Sequence, residues 1–148
     1  MTAQGKRAQN RVAREREILD AALAVFTRDG FTRATMAQIA QGAGVTKPTL
    51  YSYFDTKEQL FDAMMRAKRD EMLGALSLPE GGDWTDALYR FAWNYAETVL
   101  RPDMLSLARL VIAEAERQPQ IGASYQAAGP DQLLAGMIQW LTVQRDAG

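Results

Sequence analysis

Lys47, Thr49, Tyr51 and Ser52 stand close together, with Pro48 among them. Their ammonium and hydroxyl groups are donors suited to phosphate oxygens, while Pro48 and the Thr49 methyl could touch a thymine methyl. A solvated helix is ordinarily rich in Glu, Lys and Gln, and this stretch is not. No acidic residue lies between Asp29 and Asp55, a gap of 25 residues that holds Arg33 and Lys47. A surface that meets a polyanion needs such a gap.

The flanking sequence supplies the elements that would position these groups. Thr35 can cap a short helix, and Gln38 three residues on completes a capping box. Ile39 and Ala43 share one face of that helix, and Ala40 is small enough to admit a partner helix. Gly42 and Gly44 mark the exit, since glycine tolerates a left-handed backbone. Thr46 caps a second short helix with Pro48 in its first turn. Val45, Leu50 and Tyr53 then face inward, leaving Lys47, Pro48, Thr49, Tyr51 and Ser52 outside. This is the layout of a helix-turn-helix, whose second helix enters the DNA major groove. The plainer alternative is a helical hairpin within an all-α core.

Other chemistries have little to work with. The 148 residues include no cysteine and no histidine, which removes disulfides, thiolate metal sites and the commonest nucleophile–base pairs. Glu114 and Glu116 diverge on a helix at two-residue spacing. Ser52, Ser77, Ser106 and Ser124 have no histidine partner, and no phosphate-cradling glycine loop appears. The chain is therefore read as a non-enzyme that needs no cofactor. Apolar runs fall far short of the ~20 residues that span a bilayer, and the basic N-terminus is no signal peptide, so a cytoplasmic location is expected.

Net charge is −1, but it is unevenly spread. Residues 1–70 carry 12 Lys/Arg against 8 Asp/Glu, and residues 71–148 carry 5 against 10. A basic head on an acidic body is the asymmetry expected when one end meets DNA. Residues 1–10 lack periodicity and are predicted to form a disordered tail. Lys6, Arg7, Arg11, Arg14 and Arg16 give it and the next helix a positive field. That tail would either touch DNA backbone or minor groove beside the main contact, or simply solubilise the chain.

The first helix is predicted over residues 11–28, packing Ile18, Leu19, Ala22, Val25 and Phe26 inward and stopping at Asp29-Gly30. After the helix-turn-helix, Thr56 and Gln59 form another capping box. Lys57 then occupies a first helical turn, where the dipole disfavours a cation; a DNA phosphate would give it a reason. A fourth helix runs through Leu60, Phe61, Met64 and Met65 to about residue 73. A loop over 74–83 follows, with Pro79, Gly81 and Gly82. The next helix has two apolar stripes, Trp84/Leu88/Phe91/Tyr95/Val99 and Tyr89/Trp93/Ala96/Leu100, and is predicted to be buried between neighbours. Further helices are predicted over 104–118, 121–128 and from Asp131 on. No strand-like alternation and no internal repeat appears, so the fold class is all-α.

The run from Ile18 to Leu60 resembles the DNA-binding domain of the TetR family of transcriptional regulators. The resemblance rests on Phe26-x-x-x-Gly30-Phe31, Ala40-x-x-x-Gly44-Val45, and Leu50-Tyr51-x-Tyr53-Phe54 followed by Lys57-Glu58. It implies a three-helix DNA-binding head over residues 11–56 and a helical regulatory body over 57–148. Thr49 and Tyr51 would lie in the groove with Lys47, Pro48, Thr46 and Ser52 beside them, while Thr35, Tyr53 and Lys57 would hold phosphates. It further implies a homodimer on a palindromic double-stranded operator, and a repressor released by a small apolar or amphipathic effector. Candidate pocket residues are Phe91, Trp93, Tyr95, Met104, Leu107 and Arg109, although Arg109 could equally pair with Asp103 or Glu114 at the surface. Family members usually continue for about two more long helices, so the body is expected to be shortened. The competing reading is a helical protein-interaction module that does not bind DNA.

Overall fold

The computed structural model describes residues 3–75 and 83–147, and every element among them is an α-helix. They are α1 (Ala3–Asp29), α2 (Met36–Gly42), α3 (Lys47–Tyr51), α4 (Lys57–Ala75), α5 (Trp84–Val99), α6 (Pro102–Ala115), α7 (Pro119–Ala128) and α8 (Pro130–Ala147). The chain divides into two compact units, Met1–Met64 and Met65–Gly148. That boundary falls inside α4, some residues beyond the 56/57 division expected from sequence. Among the described residues no helix is long and apolar enough to cross a membrane.

In the first unit, α1 ends where Gly30 takes a φ of 79°. Its amide donates to the Phe26 carbonyl at 2.9 Å, and the chain folds back to bury Phe31. Phe26, Phe31 and Phe61 form a three-ring cluster with centroids 5.1–5.5 Å apart. One pair is stacked and two are edge-on, arrangements that ring quadrupoles favour. Ile18, Ala22 and Val25 of α1, Ile39 and Ala40 of α2, Leu50 of α3 and Leu60 and Met64 of α4 complete the core. The predicted disordered tail is corrected here: α1 starts at Ala3, so residues 3–10 extend the helix expected from residue 11.

In the second unit, α6 buries Leu107, Leu110 and Val111, with Ala87 and Phe91 of α5 and Ile121 of α7. The predicted loop over 74–83 lies mostly outside the described residues; Gly74, at its start, belongs to α4. Asp83 ends it as the N-cap of α5, accepting from the Thr85 amide at 2.9 Å. The prediction of a doubly buried α5 is corrected. Its second stripe is open, with Tyr89 68%, Trp93 60% and Leu100 64% exposed. On α8, Leu134, Ile138 and Leu141 are exposed as well. A stripe identifies a face that prefers cover but cannot say what covers it.

Candidate nucleic-acid interface

The turn between α2 and α3 is built as its caps require. The Thr35 hydroxyl oxygen accepts from the Gln38 amide at 3.2 Å, and Gln38 Oε1 accepts from the Thr35 amide at 2.9 Å. Gln38 Nε2 also donates to Asp29 at 3.3 Å, tying α2 to the end of α1. Gly44 has φ 64°, the left-handed conformation that reverses the chain between the helices. Thr46 Oγ1 accepts from the Thr49 amide at 3.3 Å and lies 2.8 Å from Thr49 Oγ1. Ser52 Oγ donates to the Thr49 carbonyl at 2.6 Å. α3 is short, with Leu50 as its buried anchor.

Lys47, Pro48, Tyr51 and Ser52 are exposed, whereas Thr49 and Tyr53 are half-buried. The hydroxyls of Thr35, Thr46, Thr49 and Ser52 are engaged in capping or helix bonds. Lys47 and Tyr51 are thus the long polar side chains that α3 presents outward. Arg33, the other cation in the acid-free gap, has its Nε on the Asp29 carbonyl at 2.9 Å and so caps the end of α1. Asp29 itself is held below the usual carboxylate range, first by its hydrogen bond from Arg28 and against the opposing cost of burial.

Lys57 differs from expectation. Its half-buried ammonium donates to the carbonyls of Phe31 at 2.8 Å, Ala34 at 3.1 Å and Thr32 at 3.3 Å. It also sits 4.6 Å from the Phe31 ring centroid, within cation–π range. An ammonium has three protons, and three carbonyls take them. The ammonium expected at a DNA phosphate thus forms a clasp on the turn between α1 and α2. Those carbonyls lie 23–26 residues away in sequence, which no local pattern could reveal. The cap that starts α4 is also modified: Thr56 Oγ1 accepts from the Gln59 amide at 3.1 Å, while Gln59 Oε1 accepts from Asp55, one residue earlier than a capping box requires.

The sequence reading missed a groove of about 780 Å³ between α1 and α3. Arg7, Asn10, Arg11, Ala13, Arg14 and Glu17 form one wall, and Thr49, Ser52 and Tyr53 the other. The Arg11 guanidinium lies 5.5 Å from the Tyr53 ring centroid. The i, i+4, i+7 spacing of Arg7, Arg11 and Arg14 was a usable signal, had the tail been read as helix.

Among the described residues the candidate pocket residues of the body differ widely in exposure. Phe91 is buried and stacks on Tyr95 at 6.3 Å, but Trp93 is exposed and donates to Glu97 at 3.0 Å. Arg109 is exposed, Met104 is half-buried, and Leu107 is buried. Leu107 lines a different cavity, with Met65, Lys68, Arg69 and Met72 of α4, Tyr125 of α7, and Gly129 and Pro130. Its roughly 30 Å³ suits one or two waters, against the ~300 Å³ or more of a typical ligand site. Asp103, a possible partner of Arg109, pairs instead with Lys68 at 3.0 Å and Arg101 at 2.9 Å. The same two cations reach Glu71 at 2.9 and 2.7 Å, closing a four-member ion network. In Lys68 burial opposes the charge, but its hydrogen bonds to Glu71 and Asp103 outweigh it and raise its pKa.

Comparison with known proteins matches this architecture at both ends. Residues 18–64 match the model of bacterial regulatory proteins of the tetR family. Residues 86–148 match the C-terminal domain of AefR-like transcriptional repressors. A TetR-family transcriptional regulator from Mesorhizobium loti superposes with TM-score 0.74 at 30% identity, over 90% of this chain and 70% of that one. The flavonoid-responsive regulator FrrA superposes at 0.79 with 29% identity, over 91% of this chain and 69% of its own. The HTH-type transcriptional regulator RutR of Escherichia coli K12 is 42% identical over 72 residues, 49% of this chain and 34% of RutR. The chain belongs to the TetR family of transcriptional regulators.

Proposed function

We propose that the chain is a sequence-specific DNA-binding repressor whose head reads an operator through α3. The observation that carries this reading is the doubly capped, acid-free α2–α3 unit, which directs Lys47 and Tyr51 outward from a rigid aromatic core. Lys47, Pro48, Thr49 and Tyr51 meet base edges and nearby phosphates, while Thr35, Thr46, Ser52 and Tyr53 face the backbone. Lys57 acts through the turn it clasps and not by touching DNA. Repression is favoured over activation by the body's match to a repressor C-terminal domain.

Recognition of a palindrome requires two heads about 34–36 Å apart, hence a two-fold dimer. The exposed Leu134, Ile138 and Leu141 of α8 support pairing through the body. A small amphipathic effector acting on the body is the corresponding release signal, and FrrA is a neighbour that responds to such a molecule, a flavonoid. Binding of that effector shifts the population between DNA-competent and incompetent states. The cytoplasm is the compartment this role implies.

Anisotropy titration against the DNA upstream of its own gene and a scrambled duplex tests the proposal. Wild-type protein is expected to prefer the former, and Tyr51→Ala to lose that preference with its thermal stability intact. Equal affinity of wild type for both duplexes, together with unchanged binding by Lys47→Ala and Tyr51→Ala, would rule the α3 assignment out.

A further inference from the structure

We propose that the first turns of α1 form a rigid basic arm, and that the groove between this arm and α3 holds one phosphodiester strand of the DNA duplex. The proposal rests on the DNA-binding reading above and extends the footprint beyond α3. Four observations carry it. The arm is helical and exposed, so its cations are held at fixed spacing. Arg7, Arg11 and Arg14 recur along one face and span about 10 Å of helix axis, close to three phosphates of one strand. The opposite wall consists of Thr49, Ser52 and Tyr53, which belong to the helix-turn-helix itself. Finally, Arg11 is stacked on Tyr53, which holds its guanidinium over the groove and keeps its edge available for an anion.

The one acidic residue on the groove wall makes the proposal sharper. Glu17 pairs with Arg14 at 2.7 Å, both side chains about half exposed. Glu17 thus competes with a phosphate for Arg14, and Arg7 and Arg11 carry the strand. A strand is favoured over an acidic peptide because the groove opens beside α3, where the backbone flanking an occupied major groove must pass.

The test is the salt dependence of duplex binding by the whole chain, using a labelled duplex that the protein itself selects from a random pool. For each phosphate neutralised, log K changes with log[salt] by about −0.9. Arg7→Gln and Arg11→Gln should each reduce the slope by about that amount and weaken binding roughly fivefold at physiological salt. Arg14→Gln should do distinctly less, and Glu17→Gln should tighten binding. All four should keep wild-type helicity and selectivity. Arg7→Gln is the control for indirect effects, since Arg11 also supports Tyr53. An unchanged slope in Arg7→Gln and Arg11→Gln, with Tyr51→Ala still losing selectivity, overturns the arm and leaves the DNA reading standing. If no duplex is bound in a salt-dependent way, both fall.

Discussion

The head and the body are built to different standards of closure. The largest fully buried side chains are Phe26, Ile18, Ile39, Leu50, Leu60 and Met64, all of them in the first unit. Most of the large apolar side chains left open, from Trp84 to Val143, belong to the second. The head satisfies its own helix ends and aromatic surfaces, as a device that must hold two short helices in one geometry should. A five-residue α3 has no stability of its own and depends on that core. The body keeps apolar side chains on α5 and α8 without cover among the described residues, the kind of surface that marks an interaction site.

Five substitutions or conditions sharpen the contrast, and the tryptophans allow them to be read separately. Trp84, Trp93 and Trp140 all lie in the second unit, so tryptophan fluorescence follows the body while circular dichroism follows both. The largest effect is expected from Phe26→Ala, about 3–5 kcal/mol, because a rigid ring cluster cannot collapse around the void. Helicity should then be lost in a step that precedes the tryptophan transition; coincident transitions would mean that the two units unfold as one. The matching body variant, Phe91→Ala, should cost only about 2 kcal/mol in urea melts, since its surroundings are more open.

Lys57→Met should destabilise the head by about 1–3 kcal/mol by removing the ammonium that three carbonyls share. It should leave the salt slope of DNA binding unaltered. A slope reduced by about 0.9 would restore Lys57 as a phosphate ligand. Trp93→Ser should move the body's melting free energy by no more than about 0.5 kcal/mol, the usual range for exposed sites. Its effect should appear in sedimentation if α5 takes part in self-association.

The smallest effect concerns pH. Glu71 is held below its ordinary range chiefly by its hydrogen bond from Lys68. In Asp103 burial pushes upward, and Lys68 and Arg101 more than offset it. Both carboxylates therefore contribute stability above about pH 4 and lose it as pH falls through their lowered values. Lys68 contributes below about pH 10 and loses its share as pH rises through its raised value. Because these groups are partly exposed, about 1 kcal/mol or less is involved. Acid titration followed by tryptophan fluorescence should show a shallower loss in Lys68→Met than in wild type.

Most of the head was legible in the sequence. Thr35, Gln38, Thr46, Thr56 and Gly30 act within a turn of their own positions, where capping and backbone rules apply directly. The arm was misread because residues 3–10 carry no apolar stripe, the signal on which helix reading depends. The dipole mismatch of Lys57 marked a special role, but its carbonyl partners come from a distant turn that no local pattern reveals. In the body the two stripes of α5 were read correctly as apolar, and the cover of the second was assumed wrongly.

The order of helices, their caps and the acid-free stretch follow from the amino-acid sequence alone, because each depends on interactions three or four residues apart. Tertiary structure alone decided the Lys57 clasp, the Arg11–Tyr53 stack and the groove they adjoin. It also decided that Phe91 is buried on α5 while Tyr89 and Trp93 are not. These depend on which helix faces meet, and that is settled by the packing of the whole core.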